Sequence, residues 1–220
     1  MEPRLSICIP MLSCRREFHD RLWLNLQPQI DASGGQVVVF TDEDNGEAKI
    51  GAKRQRLLMR ARESAAGWTM GIDDDDEIAS DAVHRILAAL ESNPDCIGFR
   101  STRYKDGVPW AECSYSSRHK RESDEPPLPG ELVRMSRWPG HLNPIRTSLC
   151  PDFHPWNFSE DRAFAIEVRR KIRSEVFLDA PDIYSYYMRN RAARDTEQTH
   201  PERWTETHRP KPTRPLSQCY

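Results

Sequence analysis

The sequence predicts an α/β protein built on one open, mixed sheet with helices on its faces. Two observations carry that prediction. Short apolar runs alternate with amphipathic helical patterns through the first hundred residues, in the order β-α-β-α-β-α-β. The third apolar run, Trp68-Thr69-Met70-Gly71-Ile72, ends on four consecutive acids, Asp73, Asp74, Asp75 and Asp76. Open α/β sheets bind their ligands at the C-terminal ends of strands, so the acids mark the mouth of the fold.

The elements follow in order. Residues 5–10 form a short apolar run stopped by Pro10, a central strand. Residues 15–29 place Phe18, Leu22 and Leu26 at helical spacing, and Gly34-Gly35 breaks the chain. Residues 37–40 read as a second buried strand closing on Thr41-Asp42, with an acidic loop over 43–47. A helix over 49–66 should turn Leu57 and Leu58 inward and its arginines outward, with Gly67 as its stop. After the acidic strand come a helix over 81–92 and a strand over 95–104, giving a sheet parallel at least in its first half.

The second half changes character. Residues 104–118 read as a hairpin turning at Asp106-Gly107, 119–130 as a charged, Pro-rich loop, and 131–137 as a strand. Asn143-Pro144 reads as a helix start, and Ser159-Glu160-Asp161 as a capped helix running to about residue 172. From residue 189 to 220, Pro, Arg, Thr and His dominate, an extended arm. The whole is one domain over 1–188 plus that arm.

Composition narrows the function. Net charge is −2, which argues against a general nucleic-acid binder, yet the cations are 26 arginines and only 6 lysines. Arginine suits bidentate contacts to phosphate, so anionic partners remain open. The six cysteines lack CxxC or zinc spacings, which reads as free thiols in a reducing cytoplasm. No run has the length of a membrane span or the form of a secretory signal.

Four adjacent carboxylates repel one another unless a cation sits among them, so a divalent metal is expected there. The pattern is not an EF-hand, for want of glycine and glutamate at the sixth and twelfth loop positions. Asp42 and Asp44 end the second strand, where a carboxylate can accept from a base or ribose or serve turn chemistry. Lys53 and Arg54 open the arginine-rich helix, facing either a diphosphate or solvent. Glu160 and Asp161 stand at a helix N-terminus, which keeps a carboxylate ionised for general-base work. His141, Asn143 and Arg146 follow a tight turn, and His200 and His208 in the arm are within conceivable reach of a metal.

Taken together, these residues resemble the GT-A fold of family 2 glycosyltransferases over about residues 4–172. The strand Leu5-Ser6-Ile7-Cys8-Ile9-Pro10 is similar to that family's first strand. The segment Ile50-Gly51-Ala52-Lys53-Arg54-Gln55 resembles its glycine-arginine element before the metal strand, with Gln55 where Asn is usual. Ile72-Asp73-Asp74-Asp75-Asp76 is similar to its hydrophobic-Asp-x-Asp-Asp motif, and Glu160-Asp161 to its Glu-Asp motif.

The resemblance implies a nucleotide-sugar donor, read first as a UDP-sugar, a Mn²⁺ or Mg²⁺ ion, and usually inversion at the sugar. It makes 1–103 the donor half and 104–188 the acceptor half. Asp42 would contact the base, with Pro10, Asp44, Lys53, Arg54, Asp73 and Asp74 also on the donor side. Asp75 would ligate the metal, joined by Asp73, Asp76 and a histidine of the arm. Asp161, beside Glu160, would be the base. His141, Asn143 and Arg146, with Trp110, Trp138 and Trp156 as stacking groups, would meet the acceptor. The small size and the His141-Asn143 segment look like phage-type enzymes, some relatives of which, such as the base J glucosyltransferase, modify DNA. The acceptor read first is therefore a 5-hydroxymethylpyrimidine, such as hydroxymethylcytosine, in double-stranded DNA of a bacteriophage, reached by base flipping. A cell-surface saccharide is the alternative, ahead of a metal-dependent nucleotidyltransferase or nuclease.

Overall fold

The structure, a computed structural model, describes residues 3–180 and 182–188. The expected arm over 189–220, with His200 and His208, lies outside them. The strands are β1 (Leu5–Leu12), β2 (Val37–Asp44), β3 (Trp68–Gly71), β4 (Glu77–Ile78), β5 (Cys96–Lys105), β6 (Val108–Tyr115), β7 (Ser123–Glu125), β8 (Val133–Arg137), β9 (Ile145–Arg146), β10 (Glu175–Leu178) and β11 (Tyr184–Met188). The helices are α1 (Arg16–Ala32), α2 (Ile50–Glu63), α3 (Ala82–Leu90) and α4 (Glu160–Val168).

One mixed sheet runs in the order β2-β1-β3-β9-β5-β6-β8-β7, and the long β5 also pairs with β10 and β11. β2, β1 and β3 are parallel, in the register Leu5 to Val37 and Leu5 to Trp68. β9 is antiparallel to both β3 and β5 and so separates them. The division expected at 103/104 falls inside β5, so both halves share a strand.

Alternation along β1 explains the layers. Leu5, Ile7 and Ile9 point to one face and bury against Leu22 and Leu26 of α1 and Val83, Ile86 and Leu90 of α3. Cys8 points to the other face, onto Leu57 and Ala61 of α2. A second cluster on that side, Leu58, Ile145, Phe153, Phe164 and Val168, docks α4. β5 and β6 form the expected hairpin, with Asp106 at φ +52° and Gly107 at φ +78°, the left-handed pair that a two-residue turn requires.

Several expectations are corrected. β2 is an edge strand, half-exposed over most of its length, because nothing pairs with its outer side among the described residues. Asn143-Pro144 starts no helix. The Asn143 side chain is fully buried, accepts from Gly140 N at 3.0 Å and donates to Ile97 O at 2.9 Å, so it ties a turn that feeds β9. Ser159 precedes α4 but does not cap it through its side chain; it sits at φ +63°, and α4 ends at Val168. The 119–130 loop contains β7, and 173–188, to which the pattern assigned no strand, supplies β10 and β11. The arginines of α2 do not all face solvent, since Arg54 is turned inward with Lys53.

Candidate functional site

A crevice of about 880 Å³ opens at the C-terminal ends of β1 and β3. Pro10, Met11 and Leu12 of β1 and Asp73, Asp74 and Asp75 beyond β3 form one wall, and the start of α4 forms another. The segment around His141 closes over the end of β3, where Gly71 N donates to His141 O at 2.6 Å. A Cβ at Gly71 would stand 3.0 Å from His141 Cδ2, so glycine permits the approach.

The four aspartates divide into distinct environments. Asp73 pairs with Arg54 at 2.8 Å; burial opposes its charge, but Arg54 and His141 together hold its carboxyl far below the usual range. Asp74 is 2% exposed and accepts from Leu12 N at 3.0 Å and from Arg15 at 2.9 Å. Burial, helped by the neighbouring Asp75, still pushes it up to about 6. Asp75 lines the crevice, 3.5 Å from Arg15. Asp76 turns into the core, accepting from Tyr184 Oη at 2.7 Å and from Tyr187 N at 2.9 Å. Burial, then Asp75 and Asp73, raises it well above the usual carboxylate range.

α2 aims two buried cations at this wall. Lys53 donates to Met11 O and pairs with Asp44 at 2.8 Å. Burial works against the Asp44 charge, but Lys53 and the N–H groups of Gly46 and Ala48 lower its carboxyl overall. Arg54 pairs with Asp73 and with Glu160, the first residue of α4, and so braces the two walls. The helix can approach because residue 51 is glycine. Its N–H donates to Trp156 O at 2.9 Å, and a Cβ there would come 1.9 Å from His154 O.

Asp161, exposed, faces the crevice beside Glu160, which is 4% exposed and committed to Arg54. Farther along the crevice stand Trp138, Arg103, Tyr115, Tyr186 and Phe158. The Trp138 indole donates to His119 O at 3.1 Å, and the Arg169 guanidinium covers its ring at 3.8 Å.

Of the residues singled out in the sequence, Pro10, Lys53, Arg54, Asp73, Asp74, Asp75, Trp138, His141, Glu160 and Asp161 thus line one crevice. The others stand elsewhere. Asp42 lies on β2 and pairs with Arg56 at 2.8 Å. Asp44 stands behind Lys53, and Asp76 and Asn143 are buried in hydrogen bonds of the fold. Arg146 stacks on Trp68 at 5.0 Å and pairs with Asp95, because β9 carries it away from the mouth. Trp110 packs on the core, and the Trp156 ring stacks on His154 at 4.4 Å. Arg15, Arg103, Tyr115, Tyr186 and Phe158 were missed, since no local motif marks them; Arg103 is a cation where strand alternation calls for a core residue.

Among the described residues no three His, Cys, Asp or Glu side chains converge as a cage for a metal. Asp74 and Asp76 are buried in hydrogen bonds of the fold, whereas Asp75 and Asp73, paired with Arg15 and Arg54, are the more exposed carboxylates of the crevice wall and the ones that can offer oxygens to an ion. That set fits Mg²⁺ or Mn²⁺, which such sites hold by one or two carboxylates together with substrate phosphates.

No protein-family model and no curated protein sequence matches the chain. Solved structures do. The crystal structure of S. aureus TarS 1–349 in complex with UDP-GlcNAc aligns with a TM-score of 0.57 at 14% identity, over 85% of this chain and 59% of that one. The complex of TarS 1–349 with UDP aligns with a TM-score of 0.55 at 13% identity, over 84% and 60%. Longer S. aureus TarS aligns with a TM-score of 0.55 at 13% identity, over 84% of this chain and 37% of its own. The chain thus spans about three fifths of TarS 1–349. The likeness establishes the GT-A-like fold. Among the described residues no helix is long and apolar enough to cross a membrane.

Proposed function

We propose that the protein is a glycosyltransferase that moves a sugar from a UDP-sugar to an acceptor hydroxyl in this crevice. The observation that carries the reading is the presence of Asp75 and Asp161 on one crevice at the strand ends of a GT-A-like fold. TarS structures of that fold were determined with UDP-GlcNAc and with UDP, which supports the donor class.

The roles follow from placement. Asp161, at the N-terminus of α4, accepts the proton of the acceptor hydroxyl as its oxygen forms the new bond to the anomeric carbon. The bond from that carbon to the diphosphate breaks, and its electron pair leaves with UDP. Attack opposite the leaving group inverts the anomeric centre. Asp75 and Asp73 would hold Mg²⁺ or Mn²⁺, which when bound would supply positive charge for the departing diphosphate. Arg54 keeps the Asp161 helix in register with the donor wall through Glu160 and Asp73. Lys53 fixes the end of β1 through Met11 O.

A DNA acceptor keeps one supporting observation, Trp138 in the crevice wall, where a flipped base could stack. The test is thermal stability with UDP-glucose and UDP-GlcNAc, with and without Mg²⁺ or Mn²⁺. UDP release is then followed with glycerol, a saccharide and a hydroxymethylcytosine oligonucleotide as acceptors. Stabilisation that needs both nucleotide and divalent ion supports the reading. No response to any UDP compound ends it.

A further inference from the structure

The crevice holds one cation with no counter-ion among the described residues. Arg15, Lys53, Arg54, Arg137 and Arg162 each stand within 4.0 Å of a carboxylate, respectively Asp74, Asp44, Asp73, Asp124 and Glu122. Arg103 does not. Its Nη2 donates to Tyr115 Oη at 2.7 Å, its guanidinium lies 4.9 Å from the centre of the Tyr186 ring, and its buried Nε has no partner. The placement is built into the strand. The face of β5 that buries Ile97 and Phe99 next presents Ser101 and then Arg103, and the register with β6 shifts in a bulge at Arg103/Tyr104. Bulges re-aim side chains and recur beside active sites. An arginine cannot shed its charge, and a largely buried charge without a partner is costly.

We propose that Arg103 is an anion hook for the acceptor. On the transferase reading above, the acceptor carries a phosphate-type group near the hydroxyl that attacks, and Arg103 pairs with it through the terminal N–H donors not given to Tyr115. Tyr115 and Tyr186 hold the guanidinium plane in place. The donor diphosphate is the other anion available. Arg103 belongs to β5, hydrogen-bonded to β6 and β11, and not to the wall of β1 and α2 that carries Lys53 and Arg54, which points to the acceptor.

The experiment has two arms on the full chain. UDP with Mg²⁺ is titrated into the wild type and Arg103→Met. Glycerol 3-phosphate, inorganic phosphate and glycerol are then titrated into the UDP-loaded proteins. The expected result is equal UDP affinity, phosphate binding by the wild type that weakens roughly tenfold to a hundredfold in Arg103→Met, and no binding of glycerol. Arg103→Lys, which keeps the charge but not the fork, should fall between. In the wild type, the arginine Nε–H signal that Arg103→Lys removes should shift with glycerol 3-phosphate and not with glycerol. Loss of UDP affinity in Arg103→Met would assign the hook to the donor and overturn the proposal. Phosphate binding independent of residue 103, or none by the UDP-loaded wild type, would also overturn it. A wild type that binds no UDP would sink both this inference and the transferase reading.

Discussion

Arg54 is ion-paired with Glu160 across 106 residues of sequence, and its other terminal nitrogen donates to Asp73 at 2.8 Å. One guanidinium therefore joins the end of the acidic strand to the helix that carries Asp161. The Arg54 side chain is 10% exposed and that of Glu160 5%. Arg54→Met should leave two carboxylates without their cation and cost roughly 3–5 kcal/mol. Urea unfolding reads this, and a loss below about 1 kcal/mol would show the brace to be dispensable. Arg54→Lys should rescue little, since one ammonium cannot reproduce the fork.

Gly51 should be intolerant of any side chain. An added Cβ meets backbone atoms of His154 and Trp156, which cannot swing aside. Gly51→Ala should cost about 1–3 kcal/mol or more in the same assay. Gly140→Ala, with open space around its Cβ, should stay within about 0.5 kcal/mol. Equal costs would contradict the docking of α2 on the 154–157 segment.

Asp161→Asn should retain UDP binding and lose roughly 10²–10⁴-fold in transfer, the usual contribution of a general base. Its carboxylate is exposed on the crevice and, among the described residues, accepts only from Arg162 N at 2.7 Å, so stability should hardly change. Transfer at the wild-type rate would remove Asp161 from the mechanism.

Asp75→Asn should abolish the part of UDP stabilisation that depends on Mg²⁺ or Mn²⁺. At a ligand concentration about a hundredfold above Kd, that linkage amounts to about 2.7 kcal/mol in the wild type. An undiminished divalent effect in the variant would place the ion elsewhere.

Asp95 should make stability fall in acid. Burial raises its carboxyl, but the N–H groups of Arg173 and Ser174 and the Arg146 side chain lower it overall. A carboxyl lowered on folding stabilises above its unfolded value of about 3.9, and that contribution disappears as pH falls through the folded value. As pH falls below about 4, the wild type should therefore lose more stability than Asp95→Asn. Parallel curves would refute the assignment.

The order of the first elements, the parallel start of the sheet, the Asp106-Gly107 hairpin and the acids at the mouth of the crevice were all legible in the chain. Each rests on local chemistry, namely period-2 and period-3.6 apolar spacing, left-handed turn residues, and charge placed where an apolar run stops. Segments whose pairing is remote were not legible. β10 and β11 are too short and too ordinary in composition to announce themselves, and they exist because β5 offers both its edges.

The chain by itself determined which residue types are available to the crevice. The tertiary structure alone decided which of them meet. Four consecutive aspartates look equivalent in sequence, yet the fold separates them: Arg54 and His141 keep Asp73 deeply ionised, burial raises Asp74 to about 6 against the pull of Arg15, and Asp76 becomes a buried hydrogen-bonding group of the core beside Tyr184. Asn143 and Arg146 carry the chemistry of a site but spend it on the turn and on Asp95. The physical reason is that burial and charge partners set what a side chain does, and both are supplied by contacts between residues far apart in sequence.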